Sequence, residues 1–329
     1  MENKAYALGK TFRLLAHFEK LCQGEVLRKR EAAVAFGVNE RTITRDIDDL
    51  RAYCSEAQIF GRPLQIEYSA EHEGYLLAKN EHYWLQPAEI LAISRVLLES
   101  RAFRREEIEI MLHKLKIQVE PRHRKHISTM LANEAHHYMP LQHGQSVLKT
   151  LWDLSQAIRK KQSVKVIYQG LMDSSPSERI LQPVGMVFSE YYFYLIAYRT
   201  QRTYDYPTIY RLDRIKTYEL KDEHFHIPYS ERFEEGEFRK RVQFMQAGNL
   251  MQVQIRYRGP SLEAILDRLP TARVISRETE QDYLLEAEVF GQGIKMWFLS
   301  QGENLEVIKP RALREEMKQT VEKMLKLYT

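Results

Sequence analysis

Two groups of arginines carry the chemistry that this sequence could perform. The first lies in Val38-Asn39-Glu40-Arg41-Thr42-Ile43-Thr44-Arg45-Asp46-Ile47. At about 100° per residue, Ile43, Ile47 and Leu50 fall on one helical stripe. Arg41 and Arg45 then lie almost opposite, one above the other, flanked by Thr42 and Thr44. A helix in the DNA major groove needs such a face, with guanidinium forks for guanine edges or phosphates and hydroxyls for either. Asn39 is placed to cap this helix. Lys29 and Arg30 open the preceding helix, where a phosphate could be met. The expected DNA-contacting set is therefore Lys29, Arg30, Asn39, Arg41, Thr42, Thr44 and Arg45. An amphipathic helix with solvated arginines fits the same decapeptide, and the elements around it turn the balance toward DNA.

The second group is Arg179, Arg199, Arg211 and Arg214, in a stretch that also holds Tyr168, Tyr194 and Tyr210. Arginine takes phosphates with two-pronged hydrogen bonds, and aromatic faces stack bases. These seven residues make an expected site for an anionic effector, either a nucleotide or single-stranded nucleic acid. The competing reading is that some of the arginines pair with Asp213, Glu178 or Glu190 and hold the fold. Strand alternation puts Arg211 and Arg214 on opposite faces, so they share a pocket only across a bulge or a strand end. Tyr194, with Leu195, reads as core more readily than as a ligand contact.

Other constellations are weak. His136, His137 and His143 have no carboxylate or cysteine at ligand spacing, so no metal is expected. Gly291-Gln292-Gly293 lacks the rest of a dinucleotide loop. No GxSxG, HExxH or Walker sequence is present, and no carboxylate pair suggests catalysis. The run Arg122-His123-Arg124-Lys125-His126 reads as a solvated helix face that could meet a phosphate backbone. The expectation is a protein that binds and is no enzyme, without a cofactor.

The elements that must position these residues follow from periodicity. Leu8, Phe12, Leu15, Phe18 and Leu21 mark an amphipathic helix. Lys29 to Phe36 form a second, stopped by Gly37, and Glu40 to about Tyr53 a third. PLQIEY and GYLLA then read as a hairpin turning at Gly74. Three helices and a hairpin in this order outline a winged helix-turn-helix over residues 1–78, its wing running from about Arg62 to Leu77. Residues 79–143 read as a helical connector or dimerising region with Pro87 in a first turn. Residues 144–228 hold a helix and then the strands VKVIY, ERILQPVGMVF, YYFYLIAYR and TIYRLDRIKTYEL, spaced as in a small bent sheet or barrel. Residues 240–329 interleave the strands MQVQIRYRG, YLLEAEVF and LEVIKP with helices, a small α+β domain. The fold class is α+β throughout.

The chain has 329 residues, enough for two or three domains. Its net charge of +4 is only mildly basic, so a DNA surface must be a local patch. Two distant cysteines, Cys22 and Cys54, fit a reducing compartment. No apolar run is long enough for a membrane span, and no secretory leader opens the sequence. A cytoplasmic, nucleoid-associated location is expected.

The string FGVNERTITRDIDDLR resembles the recognition helix of DeoR-type winged-helix regulators. The middle region resembles the WYL domain of bacterial transcription regulators, an Sm-like barrel, with Phe193-Tyr194-Leu195 in place of the tryptophan-tyrosine-leucine string. Arg179, Pro183, Tyr210, Arg211, Asp213, Arg214 and Ile215 match its other marks. WFLSQGENLEVIKPRALREEM resembles the extension that commonly follows such domains. The resemblance implies a ligand-responsive, sequence-specific transcription regulator, a homodimer on an inverted-repeat operator in double-stranded DNA. A nucleic-acid processing factor using the winged helix only to dock substrate is the alternative, and an adaptor using it for protein contact is a third.

Overall fold

Hydrophobic stripes, one helix stop, one helix cap and one buried ion pair shape the N-terminal part of the chain. The computed structural model describes residues 9–56, 64–78, 85–119, 121–171, 173–200, 206–227, 233–246, 248–279 and 281–329. Contacts divide the chain into two units, Met1–Leu141 and Gln142–Thr329. In the first, helices α1 (Lys10–Cys22), α2 (Lys29–Phe36) and α3 (Glu40–Glu56) precede strands β1 (Gln65–Ser69) and β2 (Gly74–Ala78). Gly37 ends α2 at φ 63°, left-handed backbone that glycine adopts without strain. Two residues later the Asn39 Oδ1 accepts the Thr42 backbone N–H at 2.8 Å and starts α3, a cap worth about 1 kcal/mol. The β1–β2 hairpin is antiparallel, with Ser69 opposite Gly74. Leu27 bridges Tyr75 and ties the approach to α2 onto the hairpin. Leu21, Leu27, Ile43, Ile47, Leu50, Ile66 and Leu77 form the core.

The inward face of α1 departs from the expected stripe. Leu8 and Arg62 fall outside the described residues. Phe12 and Leu15 are exposed, whereas Arg13, His17 and Leu21 are buried, with Leu14 and Phe18 packed beside them. The cause is polar: Arg13 donates two hydrogen bonds to Asp46 of α3, one from Nη2 to Oδ1 at 3.0 Å and one from Nε to Oδ2. The ion pair turns α1 so that Arg13, rather than Phe12, meets α3.

The connector is three helices, α4 (Pro87–Ser100), α5 (Arg105–Lys116) and α6 (Pro121–His136). Pro87 sits at the first turn of α4, behind a capping box in which the Gln86 N–H donates to Glu89 Oε2 at 2.6 Å. Ile90, Leu98, Ile108, Leu112, Ile127 and Leu131 are buried along these helices.

The second unit opens with α7 (Leu148–Lys160) and strands β3 (Gln162–Tyr168), β4 (Ser177–Ser189), β5 (Tyr192–Arg199), β6 (Thr208–Arg211) and β7 (Ile215–His224). They form one sheet in the order β6-β5-β4-β3-β7, antiparallel throughout. TIYRLDRIKTYEL is two strands, not one, separated by a 3-10 turn over Leu212–Arg214. That turn carries the chain from one edge of the sheet to the other. Among the described residues no ladder joins β6 to β7, so the sheet is not the closed barrel expected. In the turn the backbone is helical and cannot extend either ladder.

Helix α8 (Glu235–Arg241) begins before the expected boundary at residue 240. Its Phe238 packs with Val187 and Ile196 of the first sheet and with Phe290 beyond it, which joins the two sheets. Strands β8 (Leu250–Tyr257), β9 (Arg273–Thr279), β10 (Asp282–Phe290) and β11 (Leu305–Lys309) form a second sheet in the order β11-β8-β10-β9. Helices α9 (Leu262–Arg268), α10 (Gly293–Ser300) and α11 (Arg311–Leu325) accompany it. Val253, Ile255, Leu285, Val289, Trp297 and Phe298 make its core. Strand β9 was not expected; it is an edge strand whose residues are all exposed.

Candidate functional site

On α3 the structure puts Ile43, Ile47 and Leu50 inward and Arg41 and Arg45 in solvent. Among the described residues neither arginine meets a carboxylate. The threonines are more occupied. Thr42 donates its hydroxyl to the Asn39 side chain at 3.0 Å, and Thr44 donates to the Glu40 carbonyl at 3.0 Å. Asn39 thus works as a cap, and its Oδ1 is used twice within the chain. Lys29 stands with its Nζ 6.0 Å from the Tyr75 ring centroid, which the Arg51 guanidinium also approaches at 5.2 Å, and Arg30 is exposed. Of the seven expected DNA-contacting residues, Arg30, Arg41 and Arg45 are therefore the ones exposed and without a carboxylate partner among the described residues, while Asn39, Thr42 and Thr44 already have internal partners.

Behind this face the Arg13–Asp46 pair is buried, with side-chain exposures of 9% and 1%. Hydrogen bonding to Asp46 holds the Arg13 guanidinium more firmly protonated than usual. His17 is buried beside it, Nε2 3.9 Å from Asp46 Oδ2 and without a hydrogen-bond partner. Burial pushes its pKa down, opposed by the Asp46 charge.

In the second unit the seven expected residues separate into two clusters on opposite faces of one sheet. On the inner face Tyr168 and Tyr210 meet edge to face, centroids 5.1 Å apart, both nearly inaccessible. Arg179 lies over both rings, 4.8 Å from Tyr168 and 5.7 Å from Tyr210. Its Nη2 donates to Asp173 at 2.8 Å. Arg199 donates from Nε to the Tyr210 hydroxyl at 3.2 Å. The Tyr168 hydroxyl accepts the Arg211 backbone N–H at 3.2 Å and lies against the Arg214 side chain. Among the described residues Arg199 and Arg214 have no carboxylate partner. Burial raises the Tyr168 pKa although three arginines oppose it, so the phenol keeps its proton.

Register explains this gathering. Arg179 is opposite Val166, and Arg199 is opposite Leu181, so both arginines share the face of buried core residues at the ends of their strands. Tyr210, opposite Leu195, points the same way. Arg211 is one residue further and so faces outward, opposite Tyr194. There it donates from Nε and Nη2 to Asp213 at 3.0 and 2.7 Å and lies flat on Tyr192, 3.4 Å from the ring centroid. Tyr194 sits half-buried against the α8 cluster, and burial pushes its pKa up to about 12. The structure therefore joins Tyr168, Arg179, Arg199, Tyr210 and Arg214, and sets Arg211 and Tyr194 apart.

Comparison with known protein families places these clusters. Residues 149–220, which include all seven expected effector-site residues, match the WYL domain. The chain carries a WYL domain. A WCX domain follows at residues 249–325, over the second sheet and its helices. Within the WYL domain, Phe193 and Leu195 pack into the inner core and Tyr194 faces the α8 cluster. Among solved structures, proteasome accessory factor B/C (PafBC) of Arthrobacter aurescens is 18% identical, covering 94% of this chain and 46% of that one, with a TM-score of 0.32. A CRISPR Cas-related protein is 14% identical over 74% of each chain, with a TM-score of 0.37. The chain spans less than half the length of the PafBC chain it resembles. No curated protein sequence matches it.

Sequence reasoning missed Asp173, which anchors Arg179, and Tyr192, which carries Arg211. Both stand in loop or strand-end positions without periodicity; the only signal was a single acid in the loop before β4. Among the described residues no group of three His, Cys, Asp or Glu is arranged to hold a metal, and no helix is long and apolar enough to cross a membrane.

Proposed function

We propose that this chain is a ligand-responsive, sequence-specific DNA-binding transcription regulator that acts by binding and not by catalysis. The observation that carries it is the solvent face of α3, where Arg41 and Arg45 stand one turn apart with no internal partner among the described residues. The three helices and hairpin around them have the order of a winged helix-turn-helix. In that reading the N-terminal half of α3 enters the major groove, the two guanidiniums reach bases or phosphates, and the threonine methyls and hydroxyl oxygens make closer contacts. Two copies of the chain bind two half-sites of an inverted repeat. A fluorescence gel shift against a random-sequence DNA library, read out by sequencing the bound fraction, tests it. An enriched inverted repeat supports the reading, and bound DNA with no preferred sequence refutes it.

The WYL domain takes the anionic effector at Tyr168, Arg179, Arg199, Tyr210 and Arg214. Two guanidiniums without carboxylate partners, and two phenols that still have a proton to donate, suit the oxygens of a phosphate ester. The faces of Tyr168 and Tyr210 are spent on each other and on Arg179, so they offer no platform for a stacked base. Recognition here is of phosphate oxygens and indifferent to the base. Titration with thymidine 5′-monophosphate and with a thymidylate dodecamer separates a free nucleotide from a strand. Effector binding shifts the protein between arrangements of different DNA affinity.

A further inference from the structure

Arg211 stands just before a single turn and Arg214 ends it, and the two serve the two faces of the sheet. The turn is short and tightly held. Leu212 is buried in the inner core. Asp213, its side chain 6% exposed, accepts both prongs of the Arg211 guanidinium two residues back. The Arg214 carbonyl accepts the Gln169 N–H at 3.3 Å. One hydroxyl, that of Tyr168, meets the Arg211 backbone N–H and the Arg214 side chain, so it touches both ends of the turn. On the outer face the Arg211 guanidinium lies on Tyr192, and the Tyr192 ring neighbours that of His143, centroids 6.3 Å apart. His143 is the second residue of the second unit, and its Nδ1 accepts the Gln145 N–H at 3.0 Å.

From this juxtaposition we infer that Arg211, Asp213 and Tyr192 are positioning residues for the anion site on the other face. They hold the turn that delivers Arg214, and occupancy of the site is passed through the turn to His143, where the chain enters the second unit. The inference rests on the reading of the Tyr168–Tyr210 cluster as an anion site. An anion that draws the Arg214 guanidinium and the Tyr168 hydroxyl toward itself pulls on both ends of a three-residue helix whose middle is pinned. Little slack is left, because Asp213 and Arg211 are closed into a ring by two hydrogen bonds. Movement of the turn must therefore tilt the Arg211 guanidinium on Tyr192, and Tyr192 against the His143 ring.

The test uses the full chain and a fluorescein-labelled thymidylate dodecamer followed by anisotropy. Arg199→Ala comes first, since it probes the site without touching the turn. It weakens binding about tenfold if the site is real, as expected for one charge-assisted contact. Unchanged binding, or no binding by the wild type, removes the site and the inference together. Asp213→Asn is then measured in two backgrounds. It weakens binding about five- to tenfold in the wild type and adds nothing in Arg214→Ala, because coupled residues are not additive. An equal loss in both backgrounds, or none in either, overturns the positioning role while leaving the site standing. Should Asp213→Asn fail to fold, Tyr192→Leu takes its place in the same cycle. The arm toward His143 is read by NMR of ¹³C-histidine, with His143→Gln giving the assignment. Its ring resonance moves when the dodecamer saturates the wild type and stays still in Arg214→Ala. A resonance that does not move in the saturated wild type overturns the transmission.

Discussion

The arginines of α3 and those of the WYL domain are the same side chain put to opposite uses. Among the described residues Arg41 and Arg45 have no internal partner, and both stand in water. Arg179 and Arg211 are largely buried, each fixed by an aspartate and laid on tyrosine rings. A free guanidinium keeps its rotamer entropy until a ligand arrives, which suits the DNA-reading role proposed for α3. A fixed one has lost that freedom on folding, so it binds with less ordering cost but only a ligand of the right shape. Arg13 is a third case: fully enclosed, it contributes geometry and contacts nothing outside.

The largest test of this contrast is Asp46→Ala. It leaves the Arg13 charge buried and unpaired, a change that costs about 3–5 kcal/mol in comparable sites. Urea unfolding of the full chain will show an early transition for the first unit alone. Next is Arg41→Ala with Arg45→Ala. If each makes a base contact worth about 1–3 kcal/mol, operator affinity falls on the order of a hundredfold or more. The unfolding curve will not move; a shifted curve would mean that these arginines are structural after all. Smaller again is the difference between Arg211→Ala and Arg199→Ala. The first should lower the stability of the second unit by about 1 kcal/mol, while the second stays within about 0.5 kcal/mol as surface changes do. Equal effects would erase the distinction between an arginine paired with a carboxylate and one held only by a phenol in this domain.

The smallest effect is a pH dependence. His17 binds a proton less readily folded than unfolded, because burial outweighs the pull of Asp46. Arg13, Lys20 and Asp46 supply the charges around it, and the Phe36 ring meets it edge on. Protons therefore favour the unfolded first unit. Its stability is complete above about pH 6.5 and is lost as the pH falls through the depressed folded value. Unfolding midpoints measured at about pH 7.5 and about pH 5.5 will differ in the wild type and converge in His17→Gln.

Much of this arrangement was legible in the sequence, and the failures share a cause. Gly37, Asn39 and the stripe of Ile43, Ile47 and Leu50 spoke plainly because they obey local rules of stopping, capping and period. The face of α1 was misread because hydrophobic period cannot register a buried Arg13 whose partner lies 33 residues away. Strand β9 has no buried face and so no alternation to detect. Alternation continued through Leu212-Asp213-Arg214 hides a 3-10 turn, and that turn decides which arginines meet. It also opens the sheet that was expected to close into a barrel. Counting residues left open whether Arg211 and Arg214 share a pocket, and it is the turn that sets them on different faces and gives Arg211 the acid.

The Arg13–Asp46 pair has a consequence for how this chain can drift in sequence. Neither residue touches solvent appreciably, and among the described residues the one other basic group beside Asp46 is His17, which burial keeps from taking up a proton readily. A single substitution at either position strands a charge, whereas a paired replacement by apolar residues of similar bulk restores the contact between α1 and α3. Positions 13 and 46 are thus expected to mutate as one unit, and the identity of one can be inferred from the other. Arg45, the neighbour of Asp46, is under no such constraint and can change by itself.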